Sequence, residues 1–204
     1  MTIYYCIEDE LSRAVAERLI DDYCPSGTIA TELGQAHGGF GYIKKNLRKF
    51  RDLSLRCPVL ILVDLDRGLC APSLRSSWLT SENILEPLPA GMIFCIAQTE
   101  IESWLLADTD GISSFLKVSP AKFRHNIEMS VVDCKEYLVE LAKGSPNTEV
   151  RNDLSPSPKS MAATGINYNF KLSQFVVDVW DPQRAAENSL SLKRAISKLS
   201  ALVF

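Results

Sequence analysis

The chain has 204 residues, of which 46% are hydrophobic and 23% are charged, close to the globular average. This length suits one α/β domain, and the composition excludes disorder over the whole chain. The formal net charge of −3 gives no global basis for tight non-specific binding to phosphate backbones. Apolar runs such as Val59–Val63 are far shorter than the roughly 18 residues of a membrane span. An acidic segment directly after the first apolar segment argues against a signal peptide, so we expect a cytoplasmic protein.

Cysteine and histidine usage narrows the possible site chemistry. Six cysteines are scattered without a C-x-x-C pair, which indicates reduced thiols rather than a zinc site or a disulfide framework. The two histidines, His37 and His125, are isolated, and His37 is interpreted as a loop residue. Any metal chemistry must therefore rest on carboxylates, which favour Mg²⁺ or Mn²⁺.

The first half of the chain alternates apolar runs with segments whose apolar residues recur at helical spacing. Short apolar runs predict strands over Ile3–Ile7, Thr28–Leu33, Val59–Val63 and Met92–Ala97. Helical spacing predicts helices over Asp9–Tyr23, Tyr42–Leu55, Ser73–Leu85 and Thr99–Ala107. The pattern β-α-β-α-β-α-β-α is typical of an open, mostly parallel sheet flanked by helices, so the predicted fold class is α/β and Rossmann-like.

The second half of the chain is predicted to be mainly helical. Helices are expected over Asp133–Lys143 and Ser191–Leu202, and Ser145–Ser160 is expected to be a Pro/Ser-rich loop. Phe170–Val179 suits either a helix or a strand. The predicted organisation is an α/β core over residues 1–110 and a helical extension over 111–204 that packs on it as one structural unit.

Acidic residues follow three of the predicted strands. Glu8 follows the first strand, Asp64 and Asp66 end the third, and Glu100 and Glu102 follow the fourth. Ligands of open α/β sheets bind outside the carboxyl ends of the strands, so these side chains are expected to converge there. Alternation along an extended segment would point Asp64 and Asp66 the same way. Converging carboxylates repel each other unless a cation neutralises them, which predicts a divalent metal.

These residues resemble the Toprim domain, which topoisomerases, bacterial primases and nucleases of the overcoming-lysogenization-defect class share. The resemblance covers roughly residues 1–110 and rests on Glu8 after the first strand and on Asp64-x-Asp66 after a buried strand. Over nearly the whole chain, the sequence is similar to a family of uncharacterised bacterial Toprim-related proteins. The segments that carry this narrower resemblance are Gly39–Tyr42, Leu62–Asp66, Thr99–Asp108 and Asp133–Glu136.

The resemblance implies a Mg²⁺- or Mn²⁺-dependent nuclease or phosphodiester hydrolase. Glu8 would be the general acid/base, and Asp64 and Asp66 would hold the metal, with Glu102 as a further ligand. It also implies DNA or another nucleic acid as substrate, a place in a bacterial defence or repair system, and an ATPase or other protein as partner. The sequence departs from many Toprim domains in that Asp9, not glycine, follows the glutamate.

Several of these residues also have simpler interpretations. Asp66 suits a helix cap. Thr99-x-x-Glu102 and Asp133-x-x-Glu136 resemble capping boxes. If a helix begins at Glu100, the side chains of Glu100 and Glu102 cannot both face one metal.

Basic residues are candidates for contacts to a nucleic acid, and they too have a simpler interpretation. The candidates are Lys44, Lys45 and Arg48 of a basic helix, together with Lys135. A solvated helix face or a solvated helix start would account equally well for their positions. The alternative function is a non-catalytic module that binds nucleic acid or a partner protein and whose carboxylates only hold a structural ion.

Overall fold

The computed structural model describes residues 1–34, 39–66 and 70–202, so His37 lies outside the described residues. The strands of the described residues are β1 (Thr2–Cys6), β2 (Ile29–Glu32), β3 (Val59–Asp64) and β4 (Met92–Ala97). They form a parallel sheet in the order β2-β1-β3-β4, in which Tyr4 pairs with Val59 and Val59 pairs with Met92. This arrangement confirms the predicted α/β class.

Helices connect and cover the strands. Those of the first half are α1 (Glu10–Tyr23), α2 (Gly39–Leu53), α3 (Ala71–Ser81) and α4 (Glu102–Ala107). Those of the second half are α5 (Thr109–Leu116), α6 (Ile127–Ser130), α7 (Cys134–Lys143), α8 (Thr148–Leu154), α9 (Tyr168–Asp178), α10 (Pro182–Asn188) and α11 (Leu190–Ser200), with a 3-10 turn at Pro120–Lys122. No helix within the described ranges is both long enough and apolar enough to cross a membrane.

Alternate residues of the strands enter two hydrophobic clusters on opposite faces of the sheet. Val59, Ile61 and Val63 of β3 pack with α2 and α3 on one face, around the buried Trp78. Leu60 and Leu62 point to the other face. The cluster on that face joins side chains of α1 and α4 with those of α7, α9, α10 and α11, so one apolar core spans both halves of the sequence.

Two predictions of local structure need correction, and one open alternative is resolved. Ser145–Ser160 is not a continuous loop, because α8 forms within it, capped by Asn147, which accepts a hydrogen bond from the backbone N–H of Glu149. The ambiguous segment Phe170–Val179 is helical. The fourth helix begins at Glu102 rather than Thr99, since Thr99 has a φ of 65°, which a helix does not accept.

Candidate active site at the carboxyl edge of the sheet

Glu8 and Asp64 lie side by side, although 56 positions separate them in the chain. Glu8 Oε1 accepts a hydrogen bond from the backbone N–H of Asp64, with an N···O distance of 3.0 Å. β1 and β3 are adjacent parallel strands, which brings their carboxyl ends together. The neighbouring Asp9 caps α1 by accepting a hydrogen bond from the backbone N–H of Ser12 (2.8 Å). Asp9 therefore fills the capping role, and the Glu8 carboxylate is not needed for it.

Asp66 departs from the sequence prediction. β3 ends at Asp64, and Asp66 adopts a left-handed backbone with a φ of 51°, so strand alternation does not extend to it. It also does not cap the next helix, whose N-cap is Cys70. The Asp66 backbone N–H instead donates to Thr99 O (2.7 Å), which joins the loops that follow β3 and β4. Asp66 stays close enough to Glu8 for its charge to raise the pKa of that carboxyl.

Glu102 is the most deeply buried carboxylate of the group, with 1% of its surface exposed. Its Oε1 accepts a hydrogen bond from the Tyr168 hydroxyl (3.1 Å) and lies 3.7 Å from Lys135 Nζ. Among the described residues, its Oε2 has no hydrogen-bond partner. The capping box predicted from Thr99 and Glu102 does not form, because the N-cap of α4 is Ile101 and makes no side-chain hydrogen bond.

Glu100 has a different role from Glu102. Its Oε2 accepts a hydrogen bond from the backbone N–H of Lys135 (2.9 Å), so it interacts with the first turn of α7. Asp133 caps the same helix through the backbone N–H of Glu136 (2.8 Å). Of the two glutamates, Glu102 has the stronger electrostatic influence on Asp64. The Lys135 side chain pairs with Glu102 and also lowers the pKa of Glu8, which puts it within the same group.

Burial and mutual repulsion raise the pKa values of the clustered carboxyls. Burial raises the pKa of Glu8 to about 7, with the charges of Asp66 and Asp9 adding to the effect and the hydrogen bond from Asp64 opposing it. Burial also raises the pKa of Asp64 well above its usual range, reinforced by Glu102 and Glu8. Burial raises the pKa of Glu102 to about 7, although Lys135 opposes this shift. The protein thus gathers acidic groups in a place where their charged forms are unfavourable.

The negative charge of these carboxylates also raises the pKa of Lys135. Burial lowers the pKa of Lys135, but the charges of Glu102 and Glu100 outweigh it, and the net effect is an increase. An ammonium group held in this way remains charged at neutral pH. Lys135 can offset only part of the charge that full deprotonation of the cluster would create, so the ionisation of each further carboxyl is unfavourable.

Two features of the site were not predicted from the sequence. Tyr168 reaches Glu102 from α9, and no motif or spacing connects positions 66 residues apart. Thr99 is a β-branched residue with a positive φ, which is an unusual backbone conformation. Such strain is concentrated at functional sites. The hydrogen bond between the Asp66 and Thr99 backbones holds two left-handed residues together at the carboxyl edge.

The basic residues of α2 that were proposed for nucleic-acid contacts differ in whether they make hydrogen bonds within the protein. Arg48 donates from Nε and Nη2 to the carbonyl oxygen of Glu82 (3.2 and 2.8 Å), which caps the end of α3. Lys44 and Lys45 lie in the N-terminal half of α2, where Lys45 is exposed and Lys44 is partly buried. Since α2 follows β2, its N-terminus begins at the carboxyl edge of the sheet. The structure therefore gives Arg48 a structural role and leaves Lys44 and Lys45 available at the surface.

The cluster has the right atoms for a hard divalent cation, but it does not form a ready-made coordination group. Carboxylate oxygens are the ligands that Mg²⁺ and Mn²⁺ prefer. The buried, unpartnered Oε2 of Glu102 is the kind of atom that a cation would satisfy. Within residues 1–34, 39–66 and 70–202, however, no three His, Cys, Asp or Glu side chains already stand at metal-binding spacing. The donors thus fit a cation chemically and would have to turn toward a common point to bind it.

Comparison with known proteins adds no family assignment to this geometry. No protein-family model, no curated protein and no solved structure matches the chain.

Proposed function

We propose that this protein is a Mg²⁺- or Mn²⁺-dependent phosphodiester hydrolase that acts on nucleic acid, with DNA the favoured substrate. The observation that carries the proposal is the approach of Glu8 to Asp64, together with the buried Glu102 whose charge acts on Asp64. A group of carboxyls with raised pKa values at the carboxyl edge of a parallel sheet is a site of the kind that functional chemistry requires. The resemblance to Toprim domains agrees with this proposal.

The proposed chemistry divides the work among the residues of the cluster. A divalent cation held by Asp64, Glu102 and Asp66 would stabilise the negative charge on the phosphoryl oxygens and lower the pKa of a water molecule. Glu8, whose pKa is raised to about 7, is suited to accept a proton from water near neutral pH and to return it to the leaving oxygen. Lys135 would contact a non-bridging phosphate oxygen, since its ammonium is charged and partly exposed.

The route of the nucleic acid to the site is proposed along α2. Lys44 and Lys45 are the cationic side chains of that helix nearest to the carboxyl edge. Their charge would offset the negative potential of the carboxylates where a phosphate backbone approaches. An ATPase or other protein partner, in a bacterial defence or repair system, remains an expectation from the resemblance.

The proposal is tested by cleavage assays on single- and double-stranded DNA and RNA with Mg²⁺ or Mn²⁺. We expect Glu8→Gln and Asp64→Asn to lower the cleavage rate by about 100-fold or more, because each removes a group used in the transition state. Glu10→Gln is the matched control, since Glu10 is an exposed acid two positions from Glu8. Equal activity of Glu8→Gln and the wild type would refute the site.

The same assay separates hydrolysis from the alternative, a non-catalytic binding module. A protein that binds nucleic acid in a salt-dependent manner and cuts none of the four substrates would favour the binding module. Cleavage that depends on the metal and is lost in Asp64→Asn would favour the hydrolase.

The path along α2 is tested by the double variant Lys44→Glu/Lys45→Glu. We expect it to weaken binding to DNA and to reduce the slope of log affinity against log salt concentration by about 2, one for each lost phosphate contact. The control is Lys193→Glu/Arg194→Glu, which changes the net charge by the same amount on the exposed surface of α11. An equal loss of affinity in both variants would show that only net charge matters.

A further inference from the structure

Tyr168 meets the carboxylate cluster from the second half of the chain. Its side chain is 3% exposed, and its hydroxyl donates a hydrogen bond to Glu102 Oε1 at 3.1 Å. It is the first residue of α9, a helix that packs against α1. The tyrosine ring is therefore buried in the core, and its packing there fixes the position of its hydroxyl.

The hydrogen bonding of Glu102 is one-sided. The two side chains that approach the carboxylate, Tyr168 through a hydrogen bond and Lys135 through an ion pair at 3.7 Å, both lie on the side of Oε1. The other oxygen, Oε2, is buried and has no partner among the described residues. Leaving a buried carboxylate oxygen without a donor is costly, and a purely structural glutamate would be expected to have both oxygens satisfied. In the part of the chain that the structure describes, Oε2 of Glu102 is instead left available to a ligand.

We propose that Tyr168 is a positioning residue whose hydroxyl holds Oε1 of Glu102 and so keeps Oε2 available to a divalent cation. This inference rests on the proposed function, because it assigns Tyr168 a role in the cation site of that reaction. Residues that hydrogen-bond to a metal ligand orient it, and their removal commonly weakens metal affinity 10- to 100-fold. Tyr168 neither touches the substrate in this scheme nor binds the cation itself.

The variant Tyr168→Phe removes the hydroxyl and keeps the ring. Two quantities are measured: the melting temperature at increasing Mn²⁺ concentration, and the cleavage rate over the same titration. We expect the Mn²⁺ concentration for half of the thermal stabilisation to rise about tenfold. The cleavage rate should require the same increase in Mn²⁺ and recover largely at saturation. The metal-free melting temperature should fall by no more than about 4 °C, as for the loss of one hydrogen bond.

Tyr5→Phe is the matched control. Tyr5 is also 3% exposed, and its hydroxyl also donates to a glutamate, Glu17, but that glutamate lies on α1 outside the cluster. Tyr5→Phe should lower the melting temperature to a similar extent and leave the Mn²⁺ midpoint unchanged. A merely structural role of Tyr168 would give the same result in both variants.

A double-mutant cycle tests whether Tyr168 acts through Glu102. In the Glu102→Gln background, Tyr168→Phe should cause no further increase in the Mn²⁺ midpoint, because the oriented carboxylate is already gone. An additional tenfold increase there would overturn the positioning role, as would a wild-type midpoint in the single variant Tyr168→Phe.

The failure of this inference is distinguishable from failure of the proposed function. If millimolar Mn²⁺ stabilises the wild type but no nucleic acid is cut, the hydrolase is refuted while the Mn²⁺ midpoints still decide the role of Tyr168. If the wild type cuts with Mn²⁺ and Tyr168→Phe has the same midpoint, only the inference is refuted. If Mn²⁺ neither stabilises the wild type nor supports cleavage, both are refuted.

Discussion

Glu8 and Glu102 hold their protons to higher pH in the folded protein than in the unfolded chain. Burial raises the pKa of each from an ordinary value of 4.5 to about 7. Between these two pH values the folded state therefore binds more protons than the unfolded state. The free energy of unfolding falls as pH rises through this window, and the contribution of these groups is greatest below it.

The first prediction concerns how the melting temperature of the metal-free protein depends on pH. We expect the melting temperature to fall by roughly 3–6 °C between about pH 5 and pH 8, equivalent to about 1–2 kcal/mol after screening. Glu8→Gln and Glu102→Gln should each flatten this decline, because an amide cannot ionise. Differential scanning fluorimetry measures it, with Glu10→Gln as the control that keeps the wild-type slope. An unchanged slope in both cluster variants would show that these carboxyls are not buried as described.

The connections after the strands decide which acidic side chains reach the site. Asp64 is the last residue of β3 and could be placed from the sequence, since its apolar run is unbroken up to that point. Alternation failed for Asp66, because a left-handed turn replaces the extended backbone there. The preference for Glu102 over Glu100 rested on the resemblance, while the hydrogen bond that occupies Glu100 depends on α7, 35 positions away. Local spacing carries no information about such a contact.

The second prediction concerns an ion pair between the buried Asp108 and the partly exposed Arg184, which joins helices α5 and α10. Asp108 is 0% exposed, caps α5 through the backbone N–H of Gly111 (3.1 Å), and pairs with Arg184 through two donors. It also accepts from the backbone N–H of Asp181 (3.0 Å). Asp108→Ala leaves these donors without their acceptor, so we expect a loss of about 2–4 kcal/mol in the free energy of unfolding.

Chemical denaturation measures this loss. Asp110→Ala is the control, because Asp110 lies in the same helix with its side chain exposed, and it should change stability by no more than about 0.5 kcal/mol. If Asp108→Ala is as stable as Asp110→Ala, the hydrogen bonds of Asp108 do not hold α5 to α10.

The strands of the sheet could be predicted better from the sequence than the packing of the second half of the chain. Buried parallel strands are nearly continuous apolar runs, so Met92–Ala97 could be placed to the residue. The helices after residue 110 are short and their caps are weak signals, and α8 and α10 have only seven residues each. The sequence predicted α7 and α11 to within two residues, whereas the positions of α8 and α10 follow from contacts with the core that periodicity does not encode.

The last prediction concerns the dependence of the α/β core on the helical half. Trp104 and Leu105 of α4 are 0% exposed, and the carbonyl oxygen of Trp104 accepts a hydrogen bond from Trp180 Nε1 (3.3 Å). Arg18 of α1 donates to Val176 O (2.9 Å), and Lys198 of α11 donates to Phe94 O of β4 (3.0 Å). A fragment of residues 1–110 would expose the apolar face that these helices cover.

We therefore expect the fragment 1–110 to lack a cooperative unfolding transition, whereas the full chain has a single one. Near-ultraviolet circular dichroism and thermal melting measure the difference, and co-expression of residues 111–204 as a second chain should restore the transition. A fragment that melts cooperatively by itself would mean that the α/β core is an independent domain. The carboxylate cluster could then form without Tyr168 and Lys135, since both residues lie in the second half.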